Sequence, residues 1–199
     1  MKFPGLISTL SYVALLAAAL LGIQQSSKAT IPPSASARQE HHLGCLPSRD
    51  GYLRARLRGS SDTEIDWHNA DMRCDGGLRP GERGVRVTFL GPAPIQGRHY
   101  LRLVFGITTT PGTTIARNVP TNVTVIFEDE QKLYSTAGDD KCTIDELSVQ
   151  PVETADATPW SRVEARGFCI APASTITGDD TLLLDRFDFA GTIRYADEE

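Results

Sequence analysis

The feature that most restricts this chain is the spacing of its apolar side chains after residue 44. They recur at every second position in short runs. In "GVRVTFLG" Val85, Val87 and Phe89 share one side, and in "HYLRLVFGI" Leu101, Leu103 and Phe105 do. In "NVTVIFED" it is Val123, Val125 and Phe127, and in "RFDFAGTIRY" Phe187, Phe189, Ile193 and Tyr195. "SRVEARGFC" puts Arg162, Glu164 and Arg166 outward and Val163, Ala165, Gly167 and Cys169 inward. Successive side chains of an extended strand point to opposite faces, so this beat means strands with one buried and one wet face. Gly, Pro, Asn and Asp punctuate the runs, and no segment after residue 44 carries a 3.6-residue apolar repeat. The expectation is an all-β domain of about nine or ten strands, arranged as an antiparallel two-sheet sandwich, with a closed β-barrel as the alternative.

The N-terminus has a different character. Its first 29 residues hold no acid and two lysines, Lys2 and Lys28, around an apolar run from Leu10 to Ile23. Ser27 and Ala29 supply the small residues a signal peptidase requires for a cut after Ala29. Residues 1–29 therefore read as a signal peptide, or as an N-terminal anchor if uncleaved, since the 21 residues from Phe3 to Ile23 can just span a bilayer. Residues 30–44, "TIPPSASARQEHHLG", read as a flexible tether, and residues 45–199 as a single domain. The domain is expected outside the cytoplasm: periplasmic, secreted or membrane-anchored, touching a membrane only through an uncleaved N-terminal segment.

All four cysteines, Cys45, Cys74, Cys142 and Cys169, fall in the exported part. An even number in an oxidising compartment reads as two disulfides, and the absence of CxxC spacing argues against zinc. Four cysteines allow three connectivities. Proximity in sequence favours Cys45–Cys74 and Cys142–Cys169.

The formal net charge is −5, and it is uneven. Residues 30–119 carry twelve basic and eight acidic side chains, residues 120–199 six and seventeen. An acidic protein repels phosphate backbones, so nucleic acid is not an expected partner.

"LRARLRGSSDTEIDW", residues 53–67, gathers three arginines and three acids. Folding it back at Gly59-Ser60-Ser61 and pairing residues whose numbers sum to 120 sets Arg58 against Asp62, Arg56 against Glu64 and Arg54 against Asp66. The same register sets Leu57 against Thr63, Ala55 against Ile65 and Leu53 against Trp67. One face becomes opposite-charge pairs and the other is apolar. The two-residue loop that Gly59-Ser60 would favour shifts the register by one and mixes charge into the buried face. Burial outweighs that turn preference, so an odd loop of three or five residues is expected, and the arginines read as matched scaffolding rather than a free basic stripe.

Catalytic motifs with fixed spacing do not occur. The strongest catalytic candidate is "DWHNAD", where Asp66, His68 and Asp71 cluster beside Cys74; the other histidines are His41, His42 and His99. Two "GDD" turns, with Asp139, Asp140, Asp179 and Asp180, are weak calcium candidates, since calcium takes several carboxylate and carbonyl oxygens. Gly and Asp are equally the residues of ordinary turns. No cofactor is expected. The leading expectation is a non-catalytic binding or structural module of the cell envelope or extracellular space, with an unidentified partner there. The alternatives are a small secreted hydrolase built on Asp66, His68 and Asp71, and a barrel holding an apolar small ligand.

Overall fold

The computed structural model describes residues 44–79, 84–95, 99–110, 112–152 and 160–194. The leader, nearly all of the tether with His41 and His42, and Tyr195 lie outside them.

The described residues form β-strands and no helix: β1 Tyr52–Gly59, β2 Thr63–His68, β3 Arg73–Leu78, β4 Val85–Pro92, β5 Tyr100–Ile107 and β6 Ile115–Ala116, then β7 Val119–Phe127, β8 Lys132–Ser135, β9 Cys142–Val152, β10 Trp160–Cys169, β11 Ala173–Ser174 and β12 Thr181–Arg194. Twelve strands exceed the expected nine or ten partly because β6 and β11 are two residues each, too short to carry an alternation signal. Every strand pairing is antiparallel.

Two long strands organise the sheet. One edge of β12 pairs with β1 over Leu182 to Ala190, and the other pairs with β10 and, near Leu182, with β11. One edge of β7 pairs with β5, and the other with β9 over Val119 to Thr121 and with β8 over Thr124 to Phe127. Hydrogen bonds therefore lead from β7 through β8, β11, β12, β10 and β9 back to β7, with β1–β2 and β5–β4–β3 branching outward.

The alternation places the core as the two-residue beat requires. Val85, Val87 and Phe89, Leu101, Leu103 and Phe105, and Val123, Val125 and Phe127 are all buried, as are Val163, Ala165 and Cys169. The aromatic rings meet across strands that are not hydrogen-bonded neighbours. Phe189 of β12 lies 5.0 Å from Phe89 of β4 and 4.7 Å from Phe105 of β5, and Phe187 lies 4.9 Å from Phe105.

At the C-terminal end of β12 the beat fails. Ala190 and Thr192 on one face and Ile193 on the other are all buried. The backbone of β3 crosses here: a Cβ on Gly76 would sit 2.5 Å from the Thr192 carbonyl and 2.6 Å from that of Arg86, so glycine is required for the close approach. Before β1, Asp50 accepts a 2.7 Å hydrogen bond from Arg162 of β10 and ties the start of the domain to the same end.

Both disulfides have the expected pairing, Cys45–Cys74 and Cys142–Cys169. The second joins direct register partners at the ends of β9 and β10. The first fastens the segment before β1 to β3. That segment is also clamped by Asn69, a buried polar residue whose Oδ1 accepts from the backbone N–H of Leu46 at 2.6 Å and of Gly51 at 3.2 Å. Removing a partner leaves buried donors bare, at about 1–3 kcal/mol each. Asn69→Ala is therefore expected to lower stability by roughly 2–4 kcal/mol in a urea titration. A loss within about 0.5 kcal/mol, the range of ordinary surface substitutions, would contradict the clamp.

Candidate functional site: an alternating-charge sheet face

The 53–67 hairpin adopts the register in which residue numbers sum to 120, from Tyr52 against His68 to Leu57 against Thr63. Five residues, 58 to 62, connect the last pair. Leu53, Ile65 and Trp67 are buried, and the Trp67 indole N–H donates to the Pro92 carbonyl at 3.0 Å. Arg54 meets Asp66 at 3.2 Å and Arg56 meets Glu64 at 2.7 Å, as expected.

The third expected pair is corrected. Asp62 turns to Arg56 at 2.7 Å, and Arg58 pairs with Asp185 of β12 at 3.1 Å. The reason lies on the other edge of β1. A bulge between Arg56 and Leu57 inserts Asp185 into the β1–β12 ladder, and β12 stays paired with β1 as far as Gly59.

Because β12 and then β10 and β9 follow β1 in the sheet, the charge pattern does not stop at the hairpin. Register partners give a row across the outer face: Asp66 of β2, Arg54 of β1, Asp188 of β12, Arg166 of β10 and Glu146 of β9. Arg117, just after β6, closes it at 3.7 Å from Glu146. The sign alternates at every step. Arg166 lies 3.8 Å from Asp188, and the Tyr52 hydroxyl donates to the same carboxylate at 2.8 Å. Burial and the neighbouring Asp188 push the Tyr52 phenol up to about 12, so it stays a donor at any physiological pH.

In the adjacent row Arg56 and Arg186 are directly opposed, an arrangement unfavourable for like charges. Glu64 offsets it by reaching both, at 2.7 Å to Arg56 and 3.7 Å to Arg186. Between these rows lies an open groove of about 520 Å³, lined by Arg54, Arg56, Asp66, Arg166, Phe168 and Arg186 among others. A smaller concavity of about 320 Å³ around Tyr52, Arg117 and Glu164 shares Arg166 and Asp188 with it.

The hairpin's share of this face was legible from alternation, and so were the outward Arg162, Glu164 and Arg166. Asp188, Arg186, Glu146 and Arg117 were missed as members. The outward positions of Arg186 and Asp188 could be read from "RFDFAG", but not which strands neighbour them.

Of the remaining candidates, His68 and Asp71 meet, and the others are each engaged elsewhere or exposed. Asp66 is engaged by Arg54. His68 is exposed, 3.5 Å from Asp71, whose same carboxylate oxygen accepts the His68 backbone N–H at 2.9 Å and so closes the turn after β2. Asp139 accepts from the Asn122 amide at 2.7 Å and the Thr108 hydroxyl at 3.0 Å, with Arg79 at 3.4 Å. Asp180 accepts from Lys132, from the Tyr134 hydroxyl at 3.0 Å and from the Thr181 N–H at 3.0 Å. Asp140 and Asp179 are exposed. Among the described residues, no group of three or more His, Cys, Asp or Glu side chains is placed to share a cation. The two "GDD" turns instead brace the two junctions of the hydrogen-bonded ring: the first where β7 meets β9, the second where β8 meets β11 and β12.

Lys132, followed by the Tyr134 hydroxyl, holds the Asp180 carboxyl below its usual range. A carboxyl depressed in the folded state adds stability above its ordinary value near 4, and that contribution is lost as pH falls through the lower folded value. The stability gap between wild type and Asp180→Asn should accordingly narrow as urea titrations are moved from about pH 5 toward pH 2. A gap constant across that window would contradict the assignment.

The fold and face together define a disulfide-stapled all-β protein with an alternating-charge sheet surface. The chain matches no family model, no curated protein and no solved structure in the comparisons made with each.

Proposed function

We propose that the chain is an exported two-layer β-sandwich that serves as a non-catalytic binding or structural module of the cell envelope or extracellular space, and that its alternating-charge face is the working surface. One observation carries the reading: a row of six opposite charges spans the outer face from β2 to β9, with its members held by their neighbours. Side chains ordered in advance lose less entropy on docking, and a patterned but nearly neutral surface selects a partner by pattern instead of attracting any polyanion. Two disulfides fit an oxidising compartment. The sandwich is favoured over a closed barrel because the β8–β11 junction is a single register pair, whereas the rings of β4 and β5 pack against those of β12 across strands that share no hydrogen bonds.

Intact mass of protein recovered from its native compartment tests export. The expected species begins at Thr30 and gains only the hydrogens of two reduced bridges on treatment with thiol. Function is tested by offering the purified protein ester and glycan substrates alongside pull-down from envelope fractions. Capture lost on reversing Arg54 and Arg166 to glutamate supports the working face. Turnover abolished by His68→Ala would replace this reading with the hydrolase.

A further inference from the structure

The charge row has an even number of members, and its sign alternates at each step. A row of that kind, turned end for end, is its own complement. A two-fold axis lying in the plane of the face, parallel to the strands and midway between β12 and β10, performs that turn. It sets Asp66 against the second copy's Arg117, Arg54 against its Glu146, and Asp188 against its Arg166. We infer that this face docks a second copy of the same chain as an isologous, two-fold pair, an inference that rests on the face being the working surface.

The flanking rows agree with the operation. On one side, where Gly167 pairs with Phe187 and Phe168 with Thr143, the axis lays Arg186 over the second copy's Phe168 ring and Arg56 beside its Thr143. On the other side Tyr52 meets the second copy's Ser148, and His68 meets its Ile115. Neither row brings like charges together. Phe168 and Ile115 are large apolar side chains left in water, at 39% and 76% exposure, and both stand on this face. An axis parallel to the row would instead set each charge against its own kind.

Shape permits the contact as well. A twisted sheet is a saddle, and a two-fold along its strands carries a saddle onto a parallel copy of itself, which is the aligned way in which sheets stack. The same patch serves both copies, so the assembly closes at two.

Sedimentation of the purified chain over about 1–200 μM tests the inference, with a monomer–dimer equilibrium expected in that range. Arg54→Glu and Glu146→Arg should each weaken the dimer at least tenfold, since each breaks two symmetry-related contacts. The double variant Arg54→Glu/Glu146→Arg should return to within about threefold of wild type, because the swap re-forms the pair between copies. Within one chain the two sites are three strand spacings apart, roughly 14 Å, so screening removes any direct rescue there. Their own neighbours, Asp66 and Asp188 around Arg54 and Arg166 and Arg117 around Glu146, stay mismatched. Rescue therefore reads only the contact between copies.

A monomer at every concentration, or a double variant as weak as the singles, overturns the inference. Where charge reversal disturbs folding, Arg54→Gln replaces it, and an undiminished dimer in that variant also overturns the inference. Failure here leaves the module reading to its own test, since a monomer that captures an envelope partner through Arg54 and Arg166 fits a module, whereas turnover dependent on His68 does not.

Discussion

Phe189→Ala is expected to lower the free energy of unfolding by about 3–5 kcal/mol, a large share of the total for a domain of this size. Phe189 has no exposed surface, and its ring lies 4.7 Å from Phe105, 5.0 Å from Phe89 and 6.2 Å from Phe187. Its strand is held on both edges, by Leu53 of β1 and Ala165 of β10, so the backbone cannot relax into the void. The cost therefore includes the cavity as well as the lost transfer of the ring from water. Ile176→Ala is the control: it is a large apolar side chain 91% exposed in the turn before β12, away from the charged face, and it should change stability little. Urea titrations of the two variants decide the matter. A Phe189 loss below about 1.5 kcal/mol, or one no larger than that of Ile176→Ala, would mean that the core does not lie between β12 and the β4–β5 pair.

Loss of the Cys142–Cys169 bridge should cost about 2–5 kcal/mol. The two residues are 27 apart in sequence and face each other across β9 and β10. Cys142 is also the register partner of Thr121 in β7. The bridge thus fastens the end of β9 that is paired with β10 on one edge and with β7 on the other, and in the chain-entropy account it removes open conformations from the unfolded ensemble. Cys142→Ala/Cys169→Ala, with Cys45–Cys74 intact, should unfold at distinctly lower urea. An unchanged midpoint in protein shown by mass to lack the bridge would exclude a structural role for it.

Much of the fold was legible because alternation is a local property. The inward set of β4, β5, β7 and β10 follows from residue spacing alone, and so does the register of the 53–67 hairpin, because a slip of one residue would bury three charges. β6 and β11 escaped notice because two residues carry no period. The third hairpin pair was misjudged because a bulge on the far edge of β1 delivers Asp185 to Arg58, and nothing within residues 53–67 registers that edge. "DWHNAD" drew attention for its carboxylates and histidine, yet the residue that works hardest there is Asn69, whose partners Leu46 and Gly51 lie about 20 residues away.

Sequence alone determined that this chain builds antiparallel strands with one wet face and that Arg54 and Arg56 are matched within their hairpin, and it favoured the near-neighbour cysteine pairing, since each depends on residues close in the chain. Only the tertiary structure decided that β12 lies between β1 and β10. That placement turned two separate charged segments into one row across the sheet, because strand order is set by long-range packing of the buried faces and leaves no mark on the outward residues it brings together.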